Sequence, residues 1–196
     1  MDSRLRTLHE ILQNRPAGRV ERDGHRREAA VALLIRARDQ LELLLIKRAE
    51  HHQDPWSGHM ALPGGRRSAT DPDLVTTAYR ETEEEVGISL AREGLYLGAL
   101  DEVAPMAPRL PPLVIAPFAV GVSETSMPVA NPVEVDFAVW IPVPALREPG
   151  AMGEILIHFE GTQHSLPSRR FGDHVIWGLT LRILEQFFSV MDESGL

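Results

Sequence analysis

The chain has 196 residues, a net charge of −8 and no cysteine. This length predicts one independently folding domain, since about 70% of the unfolded surface can be buried at this size. Without cysteine there is no disulfide framework and no thiol chemistry. The acidic balance argues against non-specific nucleic-acid binding. The sequence contains no run of 18 apolar residues and no apolar N-terminal signal segment, so we expect a cytoplasmic protein without a membrane partner.

The N-terminal third predicts a helix followed by a β-hairpin. Leucine and isoleucine residues recur at helical spacing over Ser3–Gln13, which is typical of an amphipathic helix. Asn14–Arg27 is polar and basic and is interpreted as a linker. Ala29–Ile35 and Leu41–Lys47 are apolar runs on either side of a charged turn. They predict two hairpin strands in the core sheet.

The next predicted element is a helix over Pro72–Val86. Asp71 is interpreted as its N-cap, with Pro72 in the first helical position, where a missing N–H costs nothing. Gly87 is the predicted C-terminal stop. The side predicted to face the core is mostly apolar and consists of Val75, Tyr79, Thr82 and Val86.

The remaining elements suggest a mixed sheet between helices. Predicted strands cover Leu95–Leu100, Val114–Val122, Val135–Ile141 and Ile155–Phe159, and predicted helices cover Pro142–Arg147 and Val175–Met191. A proline-rich loop, Pro105–Pro112, joins the first two of these strands. The order of elements favours an α/β fold in which residues 1–27 form an N-terminal helix and linker and residues 28–196 form the main domain.

The most informative feature is four glutamates within five positions, at Glu81 and Glu83–Glu85. Glutamates at i,i+4 on a helix repel each other, so a cation is expected nearby. A rotation of about 100° per residue places Glu81, Glu84 and Glu85 on one side. Arg80 precedes Glu84 by four residues and is predicted to pair with it. Carboxylate oxygens are the ligands that Mg²⁺ and Mn²⁺ prefer, so these three glutamates are the candidate metal ligands.

A predicted glycine turn, Gly64–Gly65, precedes the acidic helix. A backbone carbonyl from this turn, with Gly64 as the candidate, would add a further oxygen ligand to the cation. A glycine turn followed by carboxylates on one helix face is the layout of a metal site that acts on phosphates. The alternative interpretation of the glutamates is a solvated acidic helix end.

The stretch Arg80–Ile88 resembles the second half of the Nudix box, Arg-Glu-apolar-x-Glu-Glu-x-Gly-apolar, with Thr82 in the first apolar position. The first half differs from the box. The spacing from Gly65 to Arg80 is one residue longer than in the box, and the first glutamate is absent, with Asp71 or Pro72 near its place. The resemblance implies an α/β/α sandwich with a mixed sheet. It also implies a hydrolase that needs Mg²⁺ or Mn²⁺.

The same one-residue extension makes the chain similar to the coenzyme A diphosphatase branch of this family. Three flanking stretches are also similar to that branch: the leader Leu43–Ala49 with Gly58 and Pro63–Gly65, the strand Leu113–Phe118, and the helix Ile176–Leu184. The segment His51–Trp56 inside the leader has no counterpart in this resemblance. The branch implies cleavage of coenzyme A or an acyl derivative.

Residues outside the box complete the predicted site. Glu134 is the candidate for the further acidic residue that the family often supplies, with Glu124 as its competitor and an exposed strand-entry glutamate as the alternative interpretation. Basic side chains flanking the site are candidates to bind phosphates, and surface charge is the simpler interpretation for at least two of them. These candidates are Lys47, Arg48, Arg66 and Arg67.

Histidines, one tryptophan and the proline-rich loop are weaker candidates. His51, His52 and His59 lack tetrahedral metal-ligand spacing and are expected in a substrate loop or at the surface. Trp177 is expected in the core rather than stacked on a base. The proline-rich loop is a candidate wall for a channel that would hold the pantetheine arm of coenzyme A.

The predicted activity is metal-assisted hydrolysis of a diphosphate in a nucleoside diphosphate linked to another group. Glu81 and Glu85 are the first choice as direct ligands, followed by Glu84. One of these or Glu134 is the general base, and Arg80 orients the carboxylates.

Alternative substrates are ADP-ribose, dinucleotides and nucleoside triphosphates. A nucleotide-binding regulator without turnover is the alternative class. The predicted partner is a small-molecule nucleotide, with a homodimer as a candidate assembly.

Overall fold

The computed structural model describes residues 1–22, 26–51, 57–105, 112–159 and 161–196. Its helices are α1 (Ser3–Asn14), α2 (Leu74–Val86), α3 (Leu90–Glu93), α4 (Val143–Arg147) and α5 (Gly178–Ser194). Its strands are β1 (Arg27–Ala37), β2 (Leu41–Arg48), β3 (Met60–Ala61), β4 (Gly64–Arg66), β5 (Leu95–Ala99), β6 (Leu113–Val122), β7 (Val135–Pro142), β8 (Met152–Phe159), β9 (Thr162–Phe171) and β10 (His174–Trp177).

The large sheet has the strand order β3-β2-β1-β6-β5, with β4 paired to β1 and β7 paired to β2. Strands β1 and β6 run parallel, in register from Arg27 opposite Leu113 to Arg36 opposite Val122. The other pairs of this sheet are antiparallel. The sheet is therefore mixed, as predicted, and β1 and β2 form the predicted hairpin.

Alternate residues of β1 enter two different hydrophobic cores, because successive side chains of a strand point to opposite faces. Leu33 and Ile35 pack with apolar residues of α1 and α5. Ala32 and Leu34 pack with apolar residues of α2 and α3. Burying a leucine completely contributes about 1.5 to 3 kcal/mol, so both layers hold the sheet firmly. The predicted α/β/α arrangement is confirmed.

The predicted N-terminal helix is present as α1. Its cap is Asp2, whose carboxylate accepts the backbone N–H of Arg4 at 2.8 Å. The leucines at helical spacing, Leu5, Leu8 and Leu12, are buried in the core. The helix lies so close to β5 that a β-carbon on Gly98 would come within 2.5 Å of Leu12 Cβ. Glycine at this position therefore allows the helix to contact the sheet.

A second, small sheet was not predicted in full. It has the order β10-β9-β8, and only β8 corresponds to a predicted strand. The predicted helix over Val175–Met191 is wrong at its start, since Val175 lies in β10, opposite Arg170 of β9. The helix begins at Gly178, whose φ of 65° lies in the left-handed region. Glycine tolerates that conformation without steric cost and so separates strand from helix.

Two predicted features fall on parts of the chain that the structure does not describe. Residues 106–111 of the proline-rich loop, the predicted channel wall, lie outside the described ranges. The same holds for residues 52–56, which include His52. Among the described residues, no helix combines the length and apolarity needed to cross a membrane.

Candidate active site

Helix α2 begins two residues later than predicted. The first helical residue is Leu74, and its cap is Asp73, whose carboxylate accepts the N–H of Thr76 at 2.7 Å. The assignments of Asp71 as cap and Pro72 as first residue are therefore wrong. The predicted stop is present, since Gly87 has a φ of 70° and donates its N–H to the Glu83 carbonyl at 3.0 Å.

The core side of α2 differs slightly from the predicted one. Ala78, Thr82 and Val86 are buried, whereas Val75 and Tyr79 are half-buried. The hydroxyl of Thr82 donates to the Ala78 carbonyl at 2.7 Å. This bond satisfies a polar group that would otherwise be costly to bury, so threonine fits an apolar position of the motif.

Asp71 binds Arg80 instead of capping the helix. Its buried carboxylate accepts Arg80 Nε at 3.1 Å and Nη2 at 3.0 Å. It also accepts the N–H of Ser68 and the hydroxyl of Thr77, each at 2.9 Å. The Arg80 guanidinium, followed by the Ser68 N–H, holds the pKa of Asp71 well below its usual range. Sequence reasoning missed this role, although it placed Asp71 near the position of the absent family glutamate.

Arg80 connects Asp71 to the acidic residues of the helix. Its Nη2 lies 2.8 Å from Glu81 Oε1, and its Nη1 lies 2.9 Å from Glu84 Oε2. The predicted pair with Glu84 is therefore present. Nη2 also donates to the Arg66 carbonyl at 3.2 Å. One guanidinium thus fixes carboxylates from the helix and from the segment before it.

Glu85 is the most deeply buried carboxylate of the acidic run, with 2% of the residue exposed. Its Oε2 accepts the Gly64 N–H at 2.8 Å. Burial, with a smaller contribution from the charges of Glu81 and Glu134, raises the pKa of Glu85 to about 8, and the Gly64 hydrogen bond and the charge of Arg48 oppose this rise. A carboxyl with such a pKa holds its proton at neutral pH, and a bound cation would displace that proton and stabilise the ionised form.

Glu81 lies beside the glycine pair. Burial raises its pKa, while Arg80 lowers it. A β-carbon on Gly65 would come within 2.3 Å of Glu81 Oε2, so glycine leaves the space that this carboxylate occupies. The predicted turn is wrong, because Gly64–Arg66 forms strand β4, with Gly64 opposite Val31 of β1.

The predicted acidic set is only partly brought together. Glu84 is exposed and turned towards Arg80. Glu134 is exposed just before β7, close enough for its charge to raise the pKa of both Glu81 and Glu85. Glu124, its competitor, lies on an exposed turn after β6. Within the described ranges, no three His, Asp or Glu side chains converge closely enough to hold a metal ion.

The residues present nevertheless fit a divalent cation. Glu81 and Glu85 are carboxylates whose pKa values are raised mainly by burial and also by neighbouring acidic charges, those of Glu84 and Glu134 for Glu81 and those of Glu81 and Glu134 for Glu85. Carboxylate oxygens suit hard cations such as Mg²⁺ and Mn²⁺. These two glutamates would hold the ion, with Glu84 and Glu134 nearby.

The four predicted phosphate-binding cations lie in three places. Lys47 Nζ pairs with Asp136 at 3.0 Å. Arg48 lies near Glu85 and lowers its pKa. Arg66 and Arg67 line one shared cleft.

His59 and Trp177 meet near the end of β10. Their ring centroids are 4.9 Å apart in an edge-to-face arrangement. Trp177 is half-buried at the strand end rather than inside a helix, which corrects the predicted core position.

Comparison with known proteins agrees with this architecture. Residues 24–159 match the family model described as the NUDIX domain. The fold, the match and the acidic motif together establish that the chain belongs to the Nudix family, whose hydrolases act on phosphorus anhydrides. The predicted family and enzyme class are confirmed.

Relatives and solved structures of the same family support the assignment. The chain is 32% identical over 163 residues to an uncharacterized Nudix hydrolase, NudL, of Yersinia pestis, a match that covers 81% of this chain and 76% of that protein. It is 59% identical over 61 residues to the uncharacterized protein C14C4.10c of Schizosaccharomyces pombe, covering 31% of this chain but only 18% of that protein.

The fold resembles that of a MutT/nudix family protein from Enterococcus faecalis. The TM-score is 0.58 at 21% identity, and the match covers 92% of this chain and 66% of that one. A Caenorhabditis elegans Ap4A hydrolase has a TM-score of 0.50 at 18% identity, covering 60% of this chain and 81% of that one. At these identities the similarity concerns the fold alone.

Proposed function

We propose that this protein is a metal-dependent diphosphatase that cleaves coenzyme A or an acyl derivative. The single observation that carries the hydrolase part is the pair Glu81 and Glu85, held against Gly64 and Gly65 and neutralised on one side by Arg80. A protein that only binds nucleotides has little need for one buried and one half-buried carboxyl group whose pKa values are both raised.

The chain's own residues define the reaction. Arg80 and Asp71 hold the helix carboxylates in place. When bound, the divalent cation supplies charge neutralisation of the phosphate oxygens and lowers the pKa of the attacking water. The water oxygen forms a bond to one phosphorus, and the bridging P–O bond breaks. The proton passes to a carboxylate of Glu81, Glu84, Glu85 or Glu134, acting as general base.

The substrate part of the proposal is based on resemblance and on the basic residues. The extended spacing from Gly65 to Arg80, the leader before it and the segment around Trp177 are similar to the coenzyme A diphosphatase branch. Coenzyme A carries a 3′-phosphate besides its diphosphate, and arginines beside the acidic site suit such a group. Lys47, Arg48 and Arg66 are the proposed phosphate-binding residues, and Arg67, which is paired with Glu28, is proposed to position the segment that carries Arg66.

A substrate panel tests the proposal. Coenzyme A, dephospho-coenzyme A, ADP-ribose, diadenosine tetraphosphate and nucleoside triphosphates are incubated with Mg²⁺ or Mn²⁺, and the products are identified by mass spectrometry. The expected products from coenzyme A are adenosine 3′,5′-bisphosphate and 4′-phosphopantetheine.

The outcomes separate the proposed activity from its alternatives. Efficient turnover of ADP-ribose or a nucleoside triphosphate, with coenzyme A untouched, would overturn the substrate assignment alone. Tight nucleotide binding without turnover of any substrate would favour the regulator and overturn the enzyme proposal. The Glu85→Gln variant is the control for a contaminating hydrolase.

A further inference from the structure

Four arginines line one cleft next to the acidic site. The cleft has a volume of about 380 Å³ and is lined by Arg26, Arg27, Glu28, Arg66, Arg67, Ser68, Ala69 and Asp71. Only Arg66 and Arg67 were expected near substrate. The other two arginines lie far away in sequence and reach the cleft because β1 pairs with β4.

Strand register divides the arginines into two roles. Arg66 lies opposite Ala29, so Arg66 and Arg27, two residues before Ala29, belong to the same face of the sheet. Arg27 and Arg66 are both exposed. Glu28 belongs to the other face and pairs with Arg67, with Arg67 Nη1 2.8 Å from Glu28 Oε2.

Arg67 shapes the cleft wall. Besides Glu28, its guanidinium donates to the carbonyls of Asp71 at 3.3 Å and Pro72 at 2.9 Å. Its N–H also donates to the Glu28 carbonyl at 3.0 Å. Arg67 therefore holds the segment before α2 against β1, and Arg27 and Arg66 are the arginines positioned to meet a ligand.

The charge of the cleft favours an anion. Its two acids are already engaged, since Glu28 pairs with Arg22 and Arg67, and Asp71 pairs with Arg80. The cleft thus concentrates positive charge in a chain whose net charge is −8. Guanidinium groups bind phosphate through paired N–H donors and are well suited to a dianionic monoester.

The cleft adjoins the proposed reaction centre. The carbonyl of Arg66 accepts Arg80 Nη2 at 3.2 Å, and Asp71, a cleft residue, binds the same guanidinium. Arg80 in turn contacts Glu81 and Glu84, so one guanidinium connects the cleft to the acidic helix, and the subsite requires a nucleotide that spans from the cleft to the carboxylates.

We infer that Arg27 and Arg66, in the cleft shaped by Arg67, form a subsite for a phosphate monoester that the substrate carries apart from its diphosphate. The inference deepens the proposed function and rests on it for the substrate class. It distinguishes substrates with a separate phosphate, such as a nucleoside 3′-phosphate, from those with a diphosphate alone.

The test is a binding experiment that needs no turnover. Adenosine 3′,5′-bisphosphate and adenosine 5′-phosphate, which differ only by the 3′-phosphate, are titrated into the protein in Mg²⁺ by isothermal calorimetry. The wild-type protein is expected to prefer the bisphosphate about 10- to 100-fold, the range expected for one or two charge-assisted contacts. The Arg27→Gln/Arg66→Gln variant is expected to lose this preference and to bind the monophosphate as the wild type does.

The matched control is Arg38→Gln/Arg92→Gln. Arg38 is exposed at the far end of β1, and Arg92 is exposed on α3, so the net charge changes equally. This control should retain the preference. Circular dichroism and thermal melting verify that both variants fold.

Two results would overturn the subsite: a wild-type protein without preference, or a preference that survives in Arg27→Gln/Arg66→Gln. Neither depends on the substrate panel. Binding preference without hydrolysis of any substrate would instead overturn the proposed enzyme and leave an anion site. Turnover of coenzyme A without the preference would overturn the subsite alone.

Discussion

The two sheets of this protein differ in how they are covered. The large sheet has helices on both faces, and Leu33, Leu34 and Leu44 in its central strands are fully buried. The small sheet leaves 65% of Met152 and 61% of Leu156 in β8 exposed. The candidate site lies on the large sheet, on α2 packed against it, and on the segments that lead into α2 and β7. The carboxylates, which must be held at fixed positions, therefore lie on the sheet that has helices packed against both of its faces.

The small sheet is fixed mainly at one end. Arg169 of β9 is buried, and its Nε lies 2.7 Å from Glu185 Oε1 on α5. Its Nη1 donates to the Leu146 carbonyl at 2.6 Å. The polar residues near the start of β9 are exposed. Substitutions in β8 should therefore have small effects, and equivalent substitutions at the site should have large ones.

The largest expected effect is on Glu85. Glu85→Gln keeps the size of the side chain but removes the charge that favours a cation, so kcat should fall about 10²- to 10⁴-fold. The matched change on the small sheet is Glu154→Gln, an exposed glutamate that accepts the Ser165 hydroxyl at 2.6 Å. It should leave kcat unchanged. Steady-state kinetics on the substrate found by the panel provide the measurement.

The melting temperature of Glu85→Gln is the control that separates a loss of kcat from a loss of folding. The ionised form of Glu85 is costly to bury, so folding at neutral pH requires this side chain to take up a proton; Glu85→Gln removes that requirement, and the melting temperature of the metal-free protein should hold or rise slightly. Near-wild-type turnover in Glu85→Gln would contradict the assignment of this residue as a ligand.

The next effect concerns Gly65. In Gly65→Ala the new methyl group would displace the Glu81 carboxylate, which lies 2.3 Å from its position. Since a misplacement of about 1 Å can cost 10²-fold in rate, kcat/KM should fall about 10- to 100-fold. The displaced atoms are the end of a flexible side chain, so the free energy of unfolding should change by less than about 1 kcal/mol.

The matched glycine on the small sheet is Gly153. A β-carbon there meets only the Ser168 hydroxyl within 4 Å, at 3.7 Å. Gly153→Ala should leave kcat/KM unchanged. If both alanine variants lost activity equally, the space beside Glu81 would not be the reason for glycine at position 65.

The third effect is on stability and depends on pH. Asp71→Asn removes a charge that pairs with Arg80 and should lower the free energy of unfolding by about 1.5 to 3 kcal/mol at pH 7. The folded-state pKa of Asp71 is lowered. The advantage of the wild type is therefore complete above the unfolded pKa of about 4 and shrinks as pH falls below it.

Urea unfolding at pH 7, 5, 4 and 3.5 measures this difference. Asp173→Asn, in the exposed turn between β9 and β10, is the small-sheet control and should stay within about 0.5 kcal/mol of the wild type. A difference between Asp71→Asn and the wild type that did not change with pH would mean that the charge of Asp71 is not what stabilises the site.

The smallest effect is expected for Leu156→Thr in β8. The leucine is exposed, and threonine suits a strand, so the free energy of unfolding should change by less than about 0.5 kcal/mol. If the free energy of unfolding of Leu156→Thr fell further below that of the wild type as protein concentration rose, this expectation would be contradicted. Such a result would mean that β8 is buried in a homodimer. Unfolding curves at two protein concentrations distinguish the two cases.

The sequence predicted the five longer strands of the large sheet and the presence of α2 because these elements are apolar or strongly periodic, but it missed the short strands β3 and β4 and placed the start of α2 two residues too early. β1 and β2 are apolar runs on either side of a charged turn, and Gly87 stops α2 where expected. The strand β9 was missed because most of its residues, Thr162–Phe171, are polar and exposed, so no alternation of apolar residues marks it. β10 was merged with α5 because a short apolar strand and a buried helix look alike until Gly178 separates them.

The motif predicted the pair of Arg80 with Glu84, but it did not predict that Glu84 turns away from Glu85, because long-range contacts determine the surroundings of these glutamates. Two aspartates, Asp71 and Asp73, both suit a helix cap, and only the Arg80 side chain nine residues after Asp71 distinguishes them. The arginine cleft depends on the register of β1 against β4, which local sequence does not specify. In the sequence, the cleft was indicated only by the two neighbouring arginines, Arg66 and Arg67, after the glycines.

Arg80 has a consequence for how the protein is made. Some small metal-binding domains fold only together with their metal and unfold when a chelator is added. Here a guanidinium built into the same helix contacts Asp71, Glu81 and Glu84 and serves as a permanent internal counter-ion. Much of the repulsion is offset within the chain, so the newly synthesised polypeptide can complete its fold first and load its cation afterwards.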